Sequence, residues 1–469
     1  MKRRTKIVCT LGPAVNTKER IRALIEAGMN VARLNCSHGD WDTKRQWIEW
    51  IRELSLDVAP VAVLADLQGP KFRIGELPGG EIELTMGQNV TIGQGDVEIP
   101  IEQLEIIKAM TVGARLLMGD GEIELKITGG QSPAFRAKTI NGGTLKSRKG
   151  VTLVHKVFDS PALTDKDIED VREAVKAGVD YLALSYVKDA ADVRELRRIV
   201  NRLDPDLGIC AKIETREAIK DLENILKVAD IVMVARGDMG LQMELEEVPL
   251  MQKRIIDQCL WAGKPVITAT QMLESMITNS RPTRAEATDV ANAVLDGTDA
   301  LMLSAETASG GFPIEAVKTM VRIAEKAEPY FSQANLERRF QEKTRKEGLG
   351  NTDAIAHVVA QLASLIKPAA IVTPSTSGQT PRLVSRFRSK TPILCATWNE
   401  KVMRQLAIVW GVEAVLVPPP TNTDETIHTA IDALLRKHKL DCGDNVIVTA
   451  GVPAGTPGNT NMILTQQVR

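Results

Sequence analysis

GICAKIETREAIKDLENILKVADIVMVARGDMG, residues 208–240, is the stretch whose reading decides the fold. It opens on an apolar strand pattern, Ile209–Ile213, in which Lys212 and Glu214 are two residues apart and so point to one side of a strand. Residues 215–229 then place Ile219, Leu222, Ile225 and Leu226 at helical spacing, and a second apolar strand, 230–235, runs into Arg236-Gly237-Asp238. A strand–helix–strand unit implies parallel strands joined by a right-handed crossover, so Glu214 and Asp238 finish neighbouring strands at the same end. An ammonium and two carboxylates converge there. Two hard oxygen ligands that leave the other positions to water or substrate phosphate suit Mg²⁺ or Mn²⁺, and a lysine beside them suits a phosphoryl group or an enolate. A buried Lys–Glu pair filling a barrel layer, with Asp238 as a helix cap, would leave the same residues, and both readings stand at this point.

Outward from this unit the alternation continues in both directions. Upstream, strand patterns at 6–11, 30–35 and 61–66 alternate with helix patterns at 17–27 and 41–54. Downstream of a helix at 165–176, for which Thr164 is the expected N-cap, strand patterns fall at 181–186, 209–213, 231–235, 266–269 and 300–303. Eight β–α units of this spacing predict a TIM (β/α)8 barrel with chemistry at the C-terminal strand ends; a doubly wound open sheet is the alternative. The polar residues at those ends are Arg33, Asn35, Asp66, Ser185, Glu214, Asp238, Thr270, Ser304 and Glu306, some of which turn formation and capping alone would explain.

The texture changes after Gln68-Gly69-Pro70 to short, glycine-rich alternating strands such as EIELTMGQNVTIG and FRAKTINGGTLKS. The expected organisation is therefore α/β: a discontinuous barrel domain over 1–70 and 161–335, an inserted all-β lid domain over 71–160, and a C-terminal α/β regulatory domain over 336–469. Between the barrel and the last region, residues 325–350 are charged and helical in pattern, and EKTRKEG within them reads as a solvated connector. In the last region Ser375-Thr376-Ser377-Gly378-Gln379-Thr380 lies between a strand and a helix expected at 382–387, where hydroxyls and backbone N–H groups would meet a phosphate, or form an ordinary capped turn.

Composition narrows the function classes. Net charge is −1 with acidic and basic residues interleaved, which argues for neither nucleic acid nor an anionic membrane as partner. The six cysteines, at 9, 36, 210, 259, 395 and 442, show no metal-like spacing and read as reduced thiols of a cytoplasmic protein. The basic start MKRRTKIVCTLG runs straight into a strand, without the pattern of a signal peptide, and no long apolar run suggests a membrane span.

TKIVCTLGPA, MNVARLNCSHG, DLQGPKFRIG, AKIET, MVARGDMG, ITATQMLESMITNSRPTRAE, DVANAVLDGTDALMLSAETASG and the late GNTN extend over nearly the whole chain, and with them the sequence resembles pyruvate kinase of the bacterial type. The resemblance implies a homotetramer of barrel, mobile β lid and regulatory domain. It implies phosphoryl transfer from phosphoenolpyruvate to ADP, giving pyruvate and ATP. On the matching motifs, Glu214 and Asp238 would hold Mg²⁺, Lys212 would neutralise the transferring phosphoryl and the enolate oxygen, and Arg33 would bind the phosphoryl group. The amides at Gly237 and Asp238 would receive the substrate carboxylate, and Thr270 and Ser304 would lie near the enolate. Arg73, His38, Asn35 and Lys166 would contact the nucleotide.

The chain also departs from the family pattern. Many members bind K⁺ near the equivalents of Asn35, Ser37, Asp66 and Leu67 and carry a glutamate after the Gly-Pro; here Lys71 follows Gly69-Pro70, so the protein can supply that cation and K⁺ is not expected to be required. Cys36 and Tyr186 replace common phenylalanines. Val452-Pro453-Ala454 has no tryptophan or arginine for a bisphosphate, which favours a sugar-monophosphate or AMP effector at the 375–380 loop. An aldolase- or lyase-type barrel would share the metal–enolate chemistry but needs no lid bearing Arg73, and a non-enzymatic sensor would be expected to have lost Lys212, Glu214 or Asp238.

Overall fold

The computed structural model describes residues 3–119, 121–154, 161–452 and 460–469. The expected lid end near residue 160, Pro453 with Ala454, and the first half of GNTN lie outside the described residues.

Eight strands, β1 (Lys6–Thr10), β2 (Val31–Asn35), β3 (Ala62–Asp66), β4 (Tyr181–Leu184), β5 (Gly208–Ile213), β6 (Ile231–Ala235), β7 (Val266–Ala269) and β8 (Ala300–Leu303), form a closed parallel barrel, β8 pairing back onto β1. Nearly every strand residue is buried, as expected where side chains point either into the barrel or under the helical ring. The helices start where the sequence supplies a cap. Thr17 accepts from the Arg20 amide, and Thr164 and Asp167 form a reciprocal capping box at the head of helix Asp165–Lys176.

The floor of the barrel follows a local rule. Asn30, Asp180, Asp230 and Asp299, each just before an even-numbered strand, accept the amide N–H of Ile7, Val63, Ile209 and Val266 at 3.0, 2.8, 2.7 and 3.0 Å. Each thereby satisfies a donor that strand pairing leaves open at the edge of the floor. Tyr181, fully buried in the same layer, requires Gly208 beside it in register, because a Cβ at that position would sit 2.3 Å from the ring.

The inserted region is built on a six-stranded sheet in the order Val151–Leu153, Arg115–Met118, Ile123–Gln131, Ala134–Asn141, Asn89–Gly93 and Ile99–Pro100, with Glu81–Leu84 paired separately to Gly143–Lys146. Its own apolar core includes Ile74, Ile92, Leu116, Leu125 and Ile127. The C-terminal region is a five-stranded sheet of β9 (Ala370–Val372), β10 (Ile393–Thr397), β11 (Val412–Leu416), β12 (Asn445–Ala450) and β13 (Met462–Gln467), ordered 11-10-9-12-13 with only the last pairing antiparallel. It docks under the barrel floor. Arg404 and Arg388 reach Asp180 and Asp299 at 2.8 Å each, and the Tyr181 hydroxyl donates to the Gln405 carbonyl at 2.9 Å.

Three local expectations shift. Strand β4 ends at Leu184 rather than at 186, because Tyr186 turns into the left-handed region at φ 54°. The amphipathic stretch 215–229 is two helices, Arg216–Lys220 and Leu222–Val228, broken at Asp221. The helix expected at 382–387 runs instead over Gln379–Ser385. The charged stretch 325–350 is largely helical, as its pattern predicts, and within it the helix Gln333–Glu347 buries Leu336 and Phe340, the latter with its ring centroid 4.6 Å from that of Trp261 and 4.8 Å from that of Phe387. Its few apolar residues, outnumbered by charges, set the docking.

Candidate active site

The C-terminal ends of β2 to β6 bring the expected ionic residues into one network. Arg33, at the end of β2, places Nε and Nη2 each 2.7 Å from Asp66 Oδ2, and its Nη1 donates to Thr10 Oγ1 at 3.0 Å. Lys212 Nζ lies 3.3 Å from Asp66 Oδ1 and 3.0 Å from Glu214 Oε1, and donates to Ser185 Oγ at 2.7 Å. Side-chain exposure falls from 12% for Arg33 and 11% for Lys212 to 2% for Asp66 and 0% for Glu214. The cations sit toward the mouth and the carboxylates beneath them. An approaching anion therefore meets positive charge first.

Burial alone would raise the Asp66 carboxyl, but Lys212 and Arg33 outweigh it and hold it below the ordinary carboxylate range. For Lys212, burial favours the neutral amine; Asp66, Glu214 and Asp238 reverse that and raise its pKa. Glu214 goes the other way from Asp66: burial raises it, Lys212 compensates in part, and Asp238 adds to the rise. Asp66 has two cations against it and Glu214 one, which accounts for the difference.

Asp238 belongs to the first turn of a short helix, Arg236–Gln242, that begins directly at the end of β6. The preceding Arg236 fixes this corner: it donates to the carbonyls of Ala269 at 3.2 Å and Thr270 at 2.7 Å and pairs with Asp289 at 2.7 Å. Thr270 and Gln271 are held at φ 70° and 53°, a conformation that non-glycine residues adopt at a cost. The Thr270 hydroxyl donates to Ala269 O at 2.6 Å and accepts the Gly237 amide at 2.7 Å, so that amide is engaged by the protein here. Ser304 directly follows β8, and among the described residues its hydroxyl has no hydrogen-bond partner. Glu306 is fully buried with its oxygens accepting the amides of Leu273 at 3.1 Å and Ser304 at 2.6 Å, a structural role that ties the β7 and β8 loops together.

Around the rim, Asn35 Oδ1 accepts the Ser37 amide at 3.0 Å, and exposed Lys166 donates to the Cys36 carbonyl at 2.8 Å and pairs with Asp170. His38 is exposed beside them, and Arg73 lies on the lid side, bonded to the Arg148 carbonyl at 3.0 Å. Leu67 O accepts the Ser185 hydroxyl at 2.7 Å. Lys71 is exposed and lines a cleft between lid and barrel with Phe72, Tyr186, Lys188 and Leu241; among the described residues it has no ion pair with Asp66.

The 375–380 loop lies far along the chain in the C-terminal region. Buried Ser375 accepts the Gly378 amide at 3.0 Å, Gly378 turns at φ 74°, and Thr380 shares a 2.7 Å hydrogen bond with Thr460. Thr376 and Ser377 are half-buried, Gln379 is exposed, and Arg382 donates to Ser377 O at 3.2 Å.

Three contributors were not singled out by the sequence reading. Thr10 is the last residue of β1, and its hydroxyl stands at the mouth with the polar ends of the other strands, accepting from Arg33. Arg236 was visible as a charge directly after an apolar strand. The Tyr186 hydroxyl, which donates to Asp238 Oδ1 at 3.3 Å, had no sequence signal beyond its replacement of phenylalanine. Burial raises this phenol well above its ordinary pKa, with Asp238 and Glu214 adding to the shift and Arg73 opposing it.

As a metal site the donors are all oxygen. Glu214 Oε1 is buried without a hydrogen bond, facing only the Lys212 ammonium, and no group of three or more metal-ligating side chains occurs among the described residues. A pair of carboxylates with open positions fits a hard divalent ion that takes its other ligands from substrate and water.

Comparison with known proteins agrees with this arrangement. Residues 2–317 match the family model described as pyruvate kinase, barrel domain, and residues 353–464 match pyruvate kinase, alpha/beta domain. The chain is 44% identical to the pyruvate kinase of Geobacillus stearothermophilus over 99% of its length and 80% of the relative's. It is 42% identical to pyruvate kinase 2 of Synechocystis sp., over its full length and 80% of that protein. A closed barrel with an ionic network at its C-terminal rim, two family models that together span most of the sequence, and relatives of this identity lead to one assignment: the chain belongs to the pyruvate kinase family.

Proposed function

We propose that this chain transfers the phosphoryl group of phosphoenolpyruvate to ADP, giving pyruvate and ATP as the last step of glycolysis, with Mg²⁺ or Mn²⁺ held by Glu214 and Asp238. The observation that carries the reading is the buried Arg33–Asp66–Lys212–Glu214 network at the rim. A divalent ion bound there supplies charge neutralisation and a template for the phosphoryl oxygens. The protein's own part is positioning and electrostatics. Asp66 fixes Arg33 and Lys212 before substrate arrives, so their charges face the transferring phosphoryl group without reorganisation. Lys212 stays protonated and offsets the negative charge that develops on the enolate oxygen. The Asp238 amide receives the substrate carboxylate, joined by the Gly237 amide once substrate displaces its bond to Thr270 Oγ1. Thr270 and Ser304 serve the proton delivered to the enolate carbon, completing pyruvate. Arg73, His38, Asn35 and Lys166 contact the nucleotide.

K⁺ is not required in this reading. Lys71 stands where many relatives carry glutamate, and Arg33 and Lys212 both lie on Asp66. The remaining elements are a homotetramer in the cytoplasm and activation by a sugar monophosphate or AMP at Ser375–Thr380. No helix among the described residues is long and apolar enough to cross a membrane.

The test is pyruvate formation from phosphoenolpyruvate and ADP with Mg²⁺, with and without chelator, in K⁺-free buffer and with added KCl at matched ionic strength. Mg²⁺-dependent activity that KCl leaves unchanged is expected. Activity only with KCl removes the role given to Lys71, and none under any condition, with candidate effectors present, removes the catalytic reading. Each effector is then compared on wild type and Ser377→Asp at subsaturating phosphoenolpyruvate, where the variant's added charge should abolish activation.

A further inference from the structure

Directly after β4 the chain leaves extended geometry, and the Ser185-Tyr186 pair touches Lys212, Glu214 and Asp238. The Ser185 hydroxyl receives Lys212 at 2.7 Å, the Tyr186 amide donates to Glu214 Oε2 at 2.7 Å, and the Tyr186 hydroxyl donates to Asp238 Oδ1 at 3.3 Å. One residue thus joins the carboxylates that end β5 and follow β6.

The backbone that permits this is strained. Tyr186 sits at φ 54°, left-handed geometry that is a genuine outlier for a bulky side chain. Its ring packs over Gly69, itself at φ 69°, where a Cβ would meet the ring at 3.1 Å. A phenylalanine would fill the same space. What tyrosine adds is a hydroxyl, and a buried hydroxyl takes the partner its surroundings offer; here that partner is a carboxylate.

We propose that Tyr186 is a positioning residue for the divalent metal, pinning one oxygen of Glu214 through its amide and one oxygen of Asp238 through its hydroxyl so that both carboxylates are oriented before the ion binds. The inference rests on the metal site proposed above. Its physical content is preorganisation: two side chains already fixed lose less freedom when the ion arrives. Because the amide contact is made by the main chain and Tyr186→Phe removes only the hydroxyl, that variant isolates the Asp238 half.

The experiment is direct titration of Mn²⁺ into the full-length protein without substrate, reading free Mn²⁺ by electron paramagnetic resonance, for wild type, Tyr186→Phe and Tyr186→Met. Both variants lack the hydroxyl, and the flexible apolar methionine guards against a packing defect peculiar to one of them. The dissociation constant is expected to rise about 10- to 100-fold in each, the range found when an outer partner of a metal ligand is lost. The Mn²⁺ concentration that half-activates turnover should rise by the same factor, kcat at saturating Mn²⁺ should return toward wild type, and the metal-free melting temperature should hold. Affinity within about twofold of wild type in a folded variant, or a kcat deficit that saturating Mn²⁺ leaves in place, overturns the proposal. Wild type that binds no Mn²⁺ overturns instead the metal site itself, so the two failures are told apart.

Discussion

Replacing Lys212 by methionine keeps most of the side-chain volume and removes the ammonium that Asp66 and Glu214 share. At 3.3 and 3.0 Å, Coulomb's law with an effective dielectric constant of about 20 gives about 5 kcal/mol for each contact. Part of that sum offsets the burial of the ammonium itself. For a buried pair that loses one partner the net cost is about 3–5 kcal/mol, and at about 2–4 °C per kcal/mol for a domain of this size the barrel should melt roughly 6–20 °C lower near pH 8. The pH dependence gives the sharper test. Without Lys212 the folded-state pKa of both carboxyls rises, and a raised carboxyl destabilises above its unfolded value and ceases to do so as pH falls below it. In wild type the depressed Asp66 contributes stability that persists until pH falls through its lowered folded value. The deficit of Lys212→Met should therefore shrink between about pH 8 and about pH 5. Thermal scans of both proteins at the two pH values measure it. Equal melting temperatures at the higher pH, or a deficit that does not shrink at the lower one, would refute the electrostatic account of the network.

Arg388→Ala leaves Asp299, 4% exposed, without its 2.8 Å partner at the junction of barrel floor and C-terminal sheet; about 3–5 kcal/mol of stability should be lost, seen as a lower melting temperature and faster proteolysis in the 380–410 region. Arg236→Lys cannot reproduce a fork that holds Ala269, Thr270 and Asp289 together, so kcat should fall about 100-fold through misplacement of the Thr270 corner, with far less change in lid proteolysis. Gly93→Ala places a Cβ 2.1 Å from the Pro133 carbonyl at φ 135°, and should cost the lid more than about 2 kcal/mol, measured as protease sensitivity of residues 81–153 while the barrel transition holds. Lys71→Glu should make activity dependent on added KCl; activity of the variant that KCl does not stimulate would show that Lys71 does not substitute for the cation.

Most of the barrel was readable because its signals are local and redundant. Each strand from β1 to β8 is a short apolar run between helix patterns, and seven of the eight observed C-terminal ends fall within a residue of the expected ones. Two of the misses share one cause. Tyr186 and Asp221 depend on partners distant in sequence: Glu214 and Asp238 for the first, Ala190 for the second. Periodicity does not encode such partners. The ionic residues were legible one by one, since Lys212 and Glu214 two apart on a strand must share a face. That Asp66 lies between Arg33 and Lys212 was not, because β2, β3 and β5 supply them separately.

The sequence by itself determined the strand and helix alternation, the β-rich insertion after the third strand (though not its helix Leu104–Ala109, which makes the insertion other than all-β), the motifs that carry the family, and the types of charge at the strand ends. All of these follow from side-chain chemistry read over a few residues at a time. Only the tertiary structure decided which carboxylate meets which cation, that Arg236 holds the Thr270 corner and that a tyrosine hydroxyl reaches Asp238, as well as how the floor aspartates receive the C-terminal sheet. Those depend on barrel closure, which fixes the separation of groups up to hundreds of residues apart, and ionic and hydrogen-bond energies change steeply over a fraction of an ångström.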